Sequence, residues 1–257
     1  MAGTDPLALL IPGLDGTGLL YYRQVEALSR RYRVRPWRFA PRAVFDYADL
    51  VQELGAGTEG ETPHSVLVVG ESFGGVLALH YALAFPERVR RLILVNTFPY
   101  YRRRLRIRLA ELLAPALGWE ASRKLKGRIV ESILGREGIE GEDLDRYGAI
   151  VRQVDLQAYR RRLALVRQVD LRPRLREIRA PTVILASGRD KLVPSRLEAQ
   201  VLASGIPHAI VHEFPRAGHA LLLTPGFSLA DYAGEGILKM SPNHIKEMRD
   251  ESETGKV

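Results

Sequence analysis

Residues 65–79, SVLVVGESFGGVLAL, restrict the fold more than any other part of the chain. A valine-rich apolar run ends at Gly70, Ser72 follows two residues later, and a second apolar stretch begins after Gly74. The first run has the character of a buried strand, and the second has the pattern of a helix. A strand that passes directly into a helix needs a very tight turn, with Ser72 at its apex and glycines beside it, because bulkier residues would clash there. The alternative is a glycine-rich turn in which the serine is inert.

The rest of the chain alternates between strand and helix patterns. Besides 66–69, short apolar runs predict strands at residues 7–11, 33–37, 89–96, 182–186 and 209–214. Helices are predicted at residues 22–31, 47–54, 74–85 and 195–203, the last with Ser195 as its N-cap. Alternating strands and helices predict an α/β fold with a mostly parallel, doubly wound sheet.

One long insertion interrupts this alternation. Residues 97–178 show no strand pattern but helical stretches at 105–113, 122–134, 144–154 and 158–169. They predict a helical cap over one edge of a core made of residues 1–96 and 179–238. Residues 239–257 have mixed charge and little apolar periodicity, which is typical of a frayed helix or a disordered tail.

Composition excludes several classes of protein. The chain has no cysteine, so disulfides, thiolate zinc sites and cysteine nucleophiles are absent. No metal-ligand cluster is evident, and we expect neither a metal nor a cofactor. There is no apolar run of membrane-spanning length and no signal-peptide pattern near residue 1, so a cytoplasmic protein is expected.

Positive charge is concentrated in the insertion. The net charge is +8, yet residues 97–180 hold 20 Lys and Arg against 11 Asp and Glu, so the rest of the chain is nearly neutral. The arginines at 102–108 and 160–162 either form a solvated cap surface, or bind an acidic protein or anionic substrate, or attach to an anionic surface. The charge alone would allow nucleic-acid binding, but no aromatic interleaving and no known motif indicates it. Apolar residues of the same helices, such as Leu105 and Ile129, line an acyl pocket or dock the cap.

Polar residues at the ends of three strands indicate nucleophilic catalysis. A serine hydroxyl needs a base within hydrogen-bond reach, and the base needs an acid that fixes its tautomer. Ser72, His219 and Asp190 supply these types, each after a predicted strand, where the reactive groups of parallel sheets gather. The five other histidines are less suitable, because they lie before or within a strand, within a helix or in the tail: His64, His80, His208, His212 and His244.

Acyl transfer also needs donors for the developing oxyanion. The amide of Phe73, directly after the serine, is one candidate. The glycine-rich loop at residues 12–18, PGLDGTG, offers the amide of Leu14, with that of Asp15 as the alternative. Phosphate binding by this loop is disfavoured because its glycine spacing does not match the dinucleotide fingerprint.

Three stretches resemble the α/β-hydrolase superfamily of serine esterases and lipases: residues 12–18, the G-x-S-x-G motif at 70–74, and 217–223 (AGHALLL). The order serine, aspartate, histidine is also that of the superfamily. The loops at 12–18, 187–190 and 217–223 are similar to the hydrolase part of phytyl ester synthases, which transfer acyl groups to alcohols. That family often has His-Gly where this chain has Pro12-Gly13.

The resemblance implies a serine carboxylic-ester hydrolase, and the modest length of the predicted cap favours short- to medium-chain acyl esters. An acyltransferase that uses an alcohol in place of water shares the same acyl-enzyme and stays open, as does an esterase for acyl groups on an acidic carrier protein. A non-catalytic binding protein with the same fold is a further alternative. The sequence leaves the oligomeric state open.

Overall fold

The computed structural model describes residues 5–102 and 141–234. The helices predicted at 105–113 and 122–134, the tail from 239 and His244 lie outside the described residues. In the part that is described, no helix is long and apolar enough to cross a membrane.

The described strands form one parallel sheet, as the sequence predicts. Their order across the sheet is β2-β1-β3-β4-β5-β6. Their bounds are β1 Leu7–Ile11, β2 Arg33–Pro36, β3 Val66–Glu71, β4 Val89–Val95, β5 Thr182–Ser187 and β6 Ile210–Phe214. β2 contains a proline and lies at the edge, where a missing amide donor is tolerated.

The described helices are α1 Tyr22–Ser29, α2 Tyr47–Ala56, α3 Phe73–Ala84, α4 Gly141–Val151, α5 Leu156–Gln168, α6 Ser195–Gly205 and α7 Ala230–Ala233. Short 3₁₀ turns lie at Leu19–Tyr21, Arg172–Glu177 and Leu221–Leu223. The N-cap prediction for α6 is wrong. Pro194 occupies the N-cap, and the Ser195 hydroxyl donates instead to a carboxylate oxygen of Asp190.

The sheet separates two apolar layers, because successive residues of a strand point to opposite faces. Leu7, Leu9 and Ile11 of β1 join the layer that contains α2, α3 and α6. Ala8 and Leu10 join the other layer, which contains α1 and α7. With both faces covered, the inner strands are apolar almost throughout, as the valine-rich runs indicate.

The strand order reverses between β1 and β3. From β1 the chain moves outward to β2, and it then returns to β3 on the other side of β1. In open parallel sheets ligands bind outside the carboxyl ends of the strands at such a reversal. The loop after β1 and the turn after β3 therefore meet where a binding site is expected.

The described part of the insertion is helical and reaches this same end of the sheet. On α4, Asp143 pairs with Arg23 and accepts a hydrogen bond from the hydroxyl of Tyr22 on α1. On α5, the guanidinium of Arg162 donates to the carbonyl oxygens of Leu14 and Asp15. These contacts place α4 beside α1 and α5 beside the loop after β1.

Candidate active site

Ser72 lies between β3 and α3 in a backbone conformation that side chains rarely adopt. Its φ is 55° and its ψ is −119°. A non-glycine residue persists there only when the surroundings hold it. The Ser72 amide donates to the carbonyl of Val95 at 2.9 Å, and the Ser72 carbonyl accepts from the Thr97 hydroxyl at 2.6 Å. The tight turn predicted from the sequence is thus present, and the end of β4 supports it.

The glycines of this turn are needed because backbone approaches them on both sides. A Cβ at Gly70 would lie 2.3 Å from the carbonyl oxygen of Gly74. A Cβ at Gly74 would lie 2.2 Å from the carbonyl oxygen of Ile11. The close contact with Ile11 brings the start of α3 against the end of β1.

His219 and Asp190 are in direct contact. Nδ1 of His219 lies 2.7 Å from Oδ2 of Asp190. The aspartate is held in turn by the amides of Leu192 and Val193, both at 2.9 Å, and by the Ser195 hydroxyl. A carboxylate held in this way fixes the imidazole so that Nε2 is free to exchange a proton.

The two groups shift one another's pKa. Burial alone raises the pKa of Asp190, but the charge of His219 and the hydrogen bonds that the carboxylate accepts outweigh it, so the pKa is lowered. Burial alone lowers the pKa of His219, but the carboxylates of Asp190 and Glu71 outweigh it and raise the pKa to about 9. Asp190 therefore stays ionised and favours the imidazolium.

Ser72 and His219 line one cavity of about 140 Å³, and each is 8% exposed. Within the described ranges no hydrogen bond joins the serine hydroxyl to the imidazole. In unliganded enzymes such contacts are often long and shorten only when substrate binds. The structure thus brings the predicted serine and base to one cavity, while their direct contact stays a prediction.

The lining of the cavity divides into an apolar and a polar part. The apolar side chains come from the loops after β1, β5 and β6: Leu14, Leu20, Leu192, Leu222 and Leu223. The polar part includes Glu71 and Asp15 from the core, together with Tyr147 of α4 and Tyr159 of α5. No group of three or more metal-binding side chains occurs among the described residues.

Leu14 and Phe73 have amides that are available to a ligand. Neither donates to an acceptor among the residues that the structure describes. The amide of Gly16 donates to the Gly13 carbonyl at 3.1 Å, which turns that carbonyl into the loop. Because a trans peptide is planar, the Leu14 amide points the opposite way, out of the turn. The Phe73 amide is the first of α3, where the helix dipole favours negative charge.

Arg162, which belongs to the insertion, binds the loop that contains Leu14 and Asp15. Its Nε donates to the Leu14 carbonyl at 2.8 Å, and a terminal nitrogen donates to the Asp15 carbonyl at 3.1 Å. The guanidinium packs against Gly16, where a Cβ would lie 2.7 Å from its central carbon. A solvated role for the arginines at 160–162 is therefore wrong for Arg162, which is 3% exposed. The register of α5 turns this one residue inward, whereas Arg160 is exposed.

Asn96 connects the loop of His219 to the end of β5 through hydrogen bonds, a role that the sequence did not predict. Its amide nitrogen donates to the His219 carbonyl at 2.8 Å and to the Ser187 hydroxyl at 2.9 Å. Its amide oxygen accepts from the Ser187 backbone at 2.8 Å. A polar residue at the end of an apolar strand is the signal that could have indicated it.

Glu71 is the other residue that sequence reasoning missed. It ends β3, is 9% exposed, and has one carboxylate oxygen 3.5 Å from Nε2 of His219. Burial raises its pKa, His219 lowers it, and Asp15 and Asp190 raise it, with a result of about 7. A carboxyl group at the end of an apolar strand run could have indicated it.

Several known proteins with similar sequences or structures are named as hydrolases or esterases. The chain is 32% identical over 241 residues to "Putative carbamate hydrolase RutD" of Azorhizobium caulinodans, covering 85% of each protein. It is 28% identical to the pimeloyl-[acyl-carrier protein] methyl ester esterase of Chromobacterium violaceum, covering 86% of this chain and 90% of the relative. The crystal structure of a hydrolase from Pseudomonas aeruginosa superposes with a TM-score of 0.73 at 22% identity, covering 86% and 85%.

A family model matches almost the whole described chain. The match covers residues 8–231, from β1 through the described part of the insertion to α7, and the model is that of the alpha/beta hydrolase family. It includes the turn at Ser72 and the loops of Asp190 and His219. The chain therefore belongs to the alpha/beta hydrolase family.

Proposed function

We propose that this protein is a serine esterase that cleaves carboxylic esters of small acyl groups. One observation carries the proposal: Ser72 occupies a strained turn and shares a cavity with an imidazole that lies 2.7 Å from a buried carboxylate. Strain at such a turn exposes a hydroxyl for attack, and the imidazole and carboxylate supply the base and its partner.

The reaction follows from these positions. Ser72 Oγ attacks the ester carbonyl while its proton passes to Nε2 of His219, whose imidazolium is stabilised by Asp190. The carbonyl oxygen becomes an oxyanion and accepts from the amides of Leu14 and Phe73, each worth about 3 kcal/mol. When the C–O bond to the alcohol breaks, the imidazolium returns the proton to the departing oxygen. Water then releases the acid by the same steps, and Ser72 is regenerated.

The cavity supports a small acyl group. Its volume is about 140 Å³, close to the roughly 150 Å³ of an engineered cavity that holds one benzene molecule. Five leucine side chains and two tyrosines from the insertion are part of its lining. We therefore expect short esters to react faster than those with long chains, and we propose that the insertion acts as a cap over the acyl site.

An esterase for acyl groups on an acidic carrier protein is the second candidate. The basic insertion supports it, as does the relative from Chromobacterium violaceum, whose name refers to an acyl-carrier protein ester. Its signature would be a much higher rate with an acyl-carrier conjugate than with the free methyl ester.

An acyltransferase is distinguished from an esterase by adding an alcohol to the assay. Hydrolysis gives the free acid, whereas acyl transfer gives a new ester, so the ratio of the two products separates them.

The test combines a covalent probe with a substrate series. A fluorophosphonate probe should label the wild-type protein, and hydrolysis of p-nitrophenyl esters should decline as the acyl chain lengthens. Ser72→Ala should abolish both, whereas Ser204→Ala, which removes an exposed hydroxyl on α6, should change neither. Equal labelling of wild type and Ser72→Ala would refute the proposal.

A further inference from the structure

The carboxyl group of Glu71 lies on the side of His219 that has to receive the proton of Ser72. Oε1 of Glu71 is 3.5 Å from Nε2 of His219, while Nδ1 is occupied by Asp190. The other oxygen of Glu71 lies against Gly13, where a Cβ would be 2.6 Å away. Glu71 thus extends from beneath the loop of Leu14 to the imidazole.

Packing does not explain this carboxyl group. In the part of the chain that the structure describes, the carboxyl group of Glu71 accepts no hydrogen bond, and its one ion-pair partner is His219. A buried carboxylate without partners is costly, so it depends on the charge of the imidazole beside it. Glu71 and His219 are therefore one coupled pair.

The other ionisable groups near the pair do not replace this partner. They come from the loops after β1 and β5, from the 3₁₀ turn before α1 and from α4: Asp15, Asp190, Tyr21 and Tyr147. Burial together with the negative charges of Glu71 and Asp15 raises the pKa of both tyrosines, so they stay neutral. The two aspartates repel the Glu71 carboxylate. His219 is the group that stabilises its charge.

We propose that Glu71 is a second carboxyl group of the catalytic base, which holds a proton on Nε2 of His219 in competition with Ser72. The proposal rests on the esterase function proposed above and adds a residue that sets the pH range of that reaction. Ionised Glu71 favours the imidazolium, so a smaller fraction of His219 is the neutral base at a given pH. The same charge stabilises the imidazolium that forms when Ser72 attacks.

Glu71→Gln separates these effects, since it keeps the shape and removes the charge. The pKa of His219 should fall by about 1 to 3 units, the range for an opposite charge at this distance. The acid limb of kcat/KM should move to lower pH by the same amount, and the alkaline plateau should fall. Glu198→Gln is the matched control. It removes the charge of another buried carboxylate, that of Glu198 on α6, which is paired with Arg102, and it should leave both values unchanged.

Two measurements test the proposal independently of each other. NMR titration of the His219 imidazole needs no substrate, so it remains decisive if the esterase proposal fails, and the pH profile of fluorophosphonate labelling supplies the kinetic arm. In the wild type the imidazole should titrate well above its ordinary pKa of about 6.5. A wild-type value at or below 6.5, or equal values in wild type and Glu71→Gln, would overturn the proposal. If the fluorophosphonate probe did not label the wild-type protein, the proposed esterase function would be overturned instead.

Discussion

Replacing Arg162 with methionine tests whether the insertion supports the loop at residues 12–18, which carries the proposed oxyanion donor Leu14. The substitution keeps the buried aliphatic stem but removes the donors to the carbonyls of Leu14 and Asp15. Hydrogen bonds from a charged donor contribute about 1.5 kcal/mol or more each, so the two together hold the loop with about 3 kcal/mol. Without them the plane of the peptide after Leu14 can turn, and the amide before it loses its direction.

The expected effect is on kcat. One oxyanion donor is worth about 3 kcal/mol, so its complete misplacement would reduce kcat about 10²-fold, and partial misplacement about tenfold. KM should change little, because the donor strengthens its bond mainly in the transition state. Arg162→Lys keeps the charge but loses the planar fork, so an intermediate loss is expected.

The assay is steady-state hydrolysis of a short p-nitrophenyl ester, with urea unfolding measured in parallel. Arg161→Met is the matched control. Arg161 lies on the same helix and donates to a core carbonyl, that of Phe45, which is not among the residues that line the cavity of Ser72. Because it loses one such hydrogen bond and not two, this variant should lose about half as much stability, about 1.5 kcal/mol, and keep its kcat. A wild-type kcat in Arg162→Met, or equal losses of kcat in the two variants, would refute the reasoning.

Two further substitutions test the scaffold. Asn96→Ala removes four buried hydrogen bonds, two of them to Ser187 at the end of β5 and two to the carbonyls of Gly218 and His219. The bond to Gly218 is long at 3.5 Å, so the free energy of unfolding in urea should fall by about 3 kcal/mol, and a loss below about 1 kcal/mol would contradict this role. Gly74→Ala would place a Cβ 2.2 Å from the Ile11 carbonyl oxygen, so thermal unfolding should show a much lower Tm, whereas Gly141→Ala, with no atom within 4 Å, should keep the wild-type Tm.

The fold could be predicted because strong local patterns decide it. The valine-rich run before Ser72 is buried on both faces of the sheet, and so are the inner strands beside it. Such runs are recognisable without knowledge of their neighbours. The helix ends were less predictable: the hydroxyl of Ser195 could cap α6 or bond Asp190, and the choice depends on where the preceding loop places the carboxylate.

Site residues were predictable where a reaction demands a residue type at a strand end. Ser72, Asp190 and His219 meet that condition, and the structure places the last two in contact. Glu71 and Arg162 do not meet it, because the part that each plays depends on where its side chain lies in the fold, which the sequence pattern does not determine. Glu71 occupies a variable position of the motif, so its relation to the imidazole depends on how β3 ends. Arg162 lies in a run of arginines, and only the register of α5 turns it inward.

The position of Glu71 implies a compromise in the chemistry of this site. Asp190 alone is sufficient to orient His219, because it already occupies Nδ1. A second carboxylate near Nε2 lowers the fraction of neutral base at neutral pH, which by itself slows the reaction. It also stabilises the imidazolium present in the transition state, so the attack by Ser72 is faster in those enzyme molecules whose His219 is neutral. The two effects have opposite signs below the pKa of His219, and only the second remains above it. The benefit of Glu71 is therefore greatest at alkaline pH, where the wild type should exceed Glu71→Gln by the largest factor.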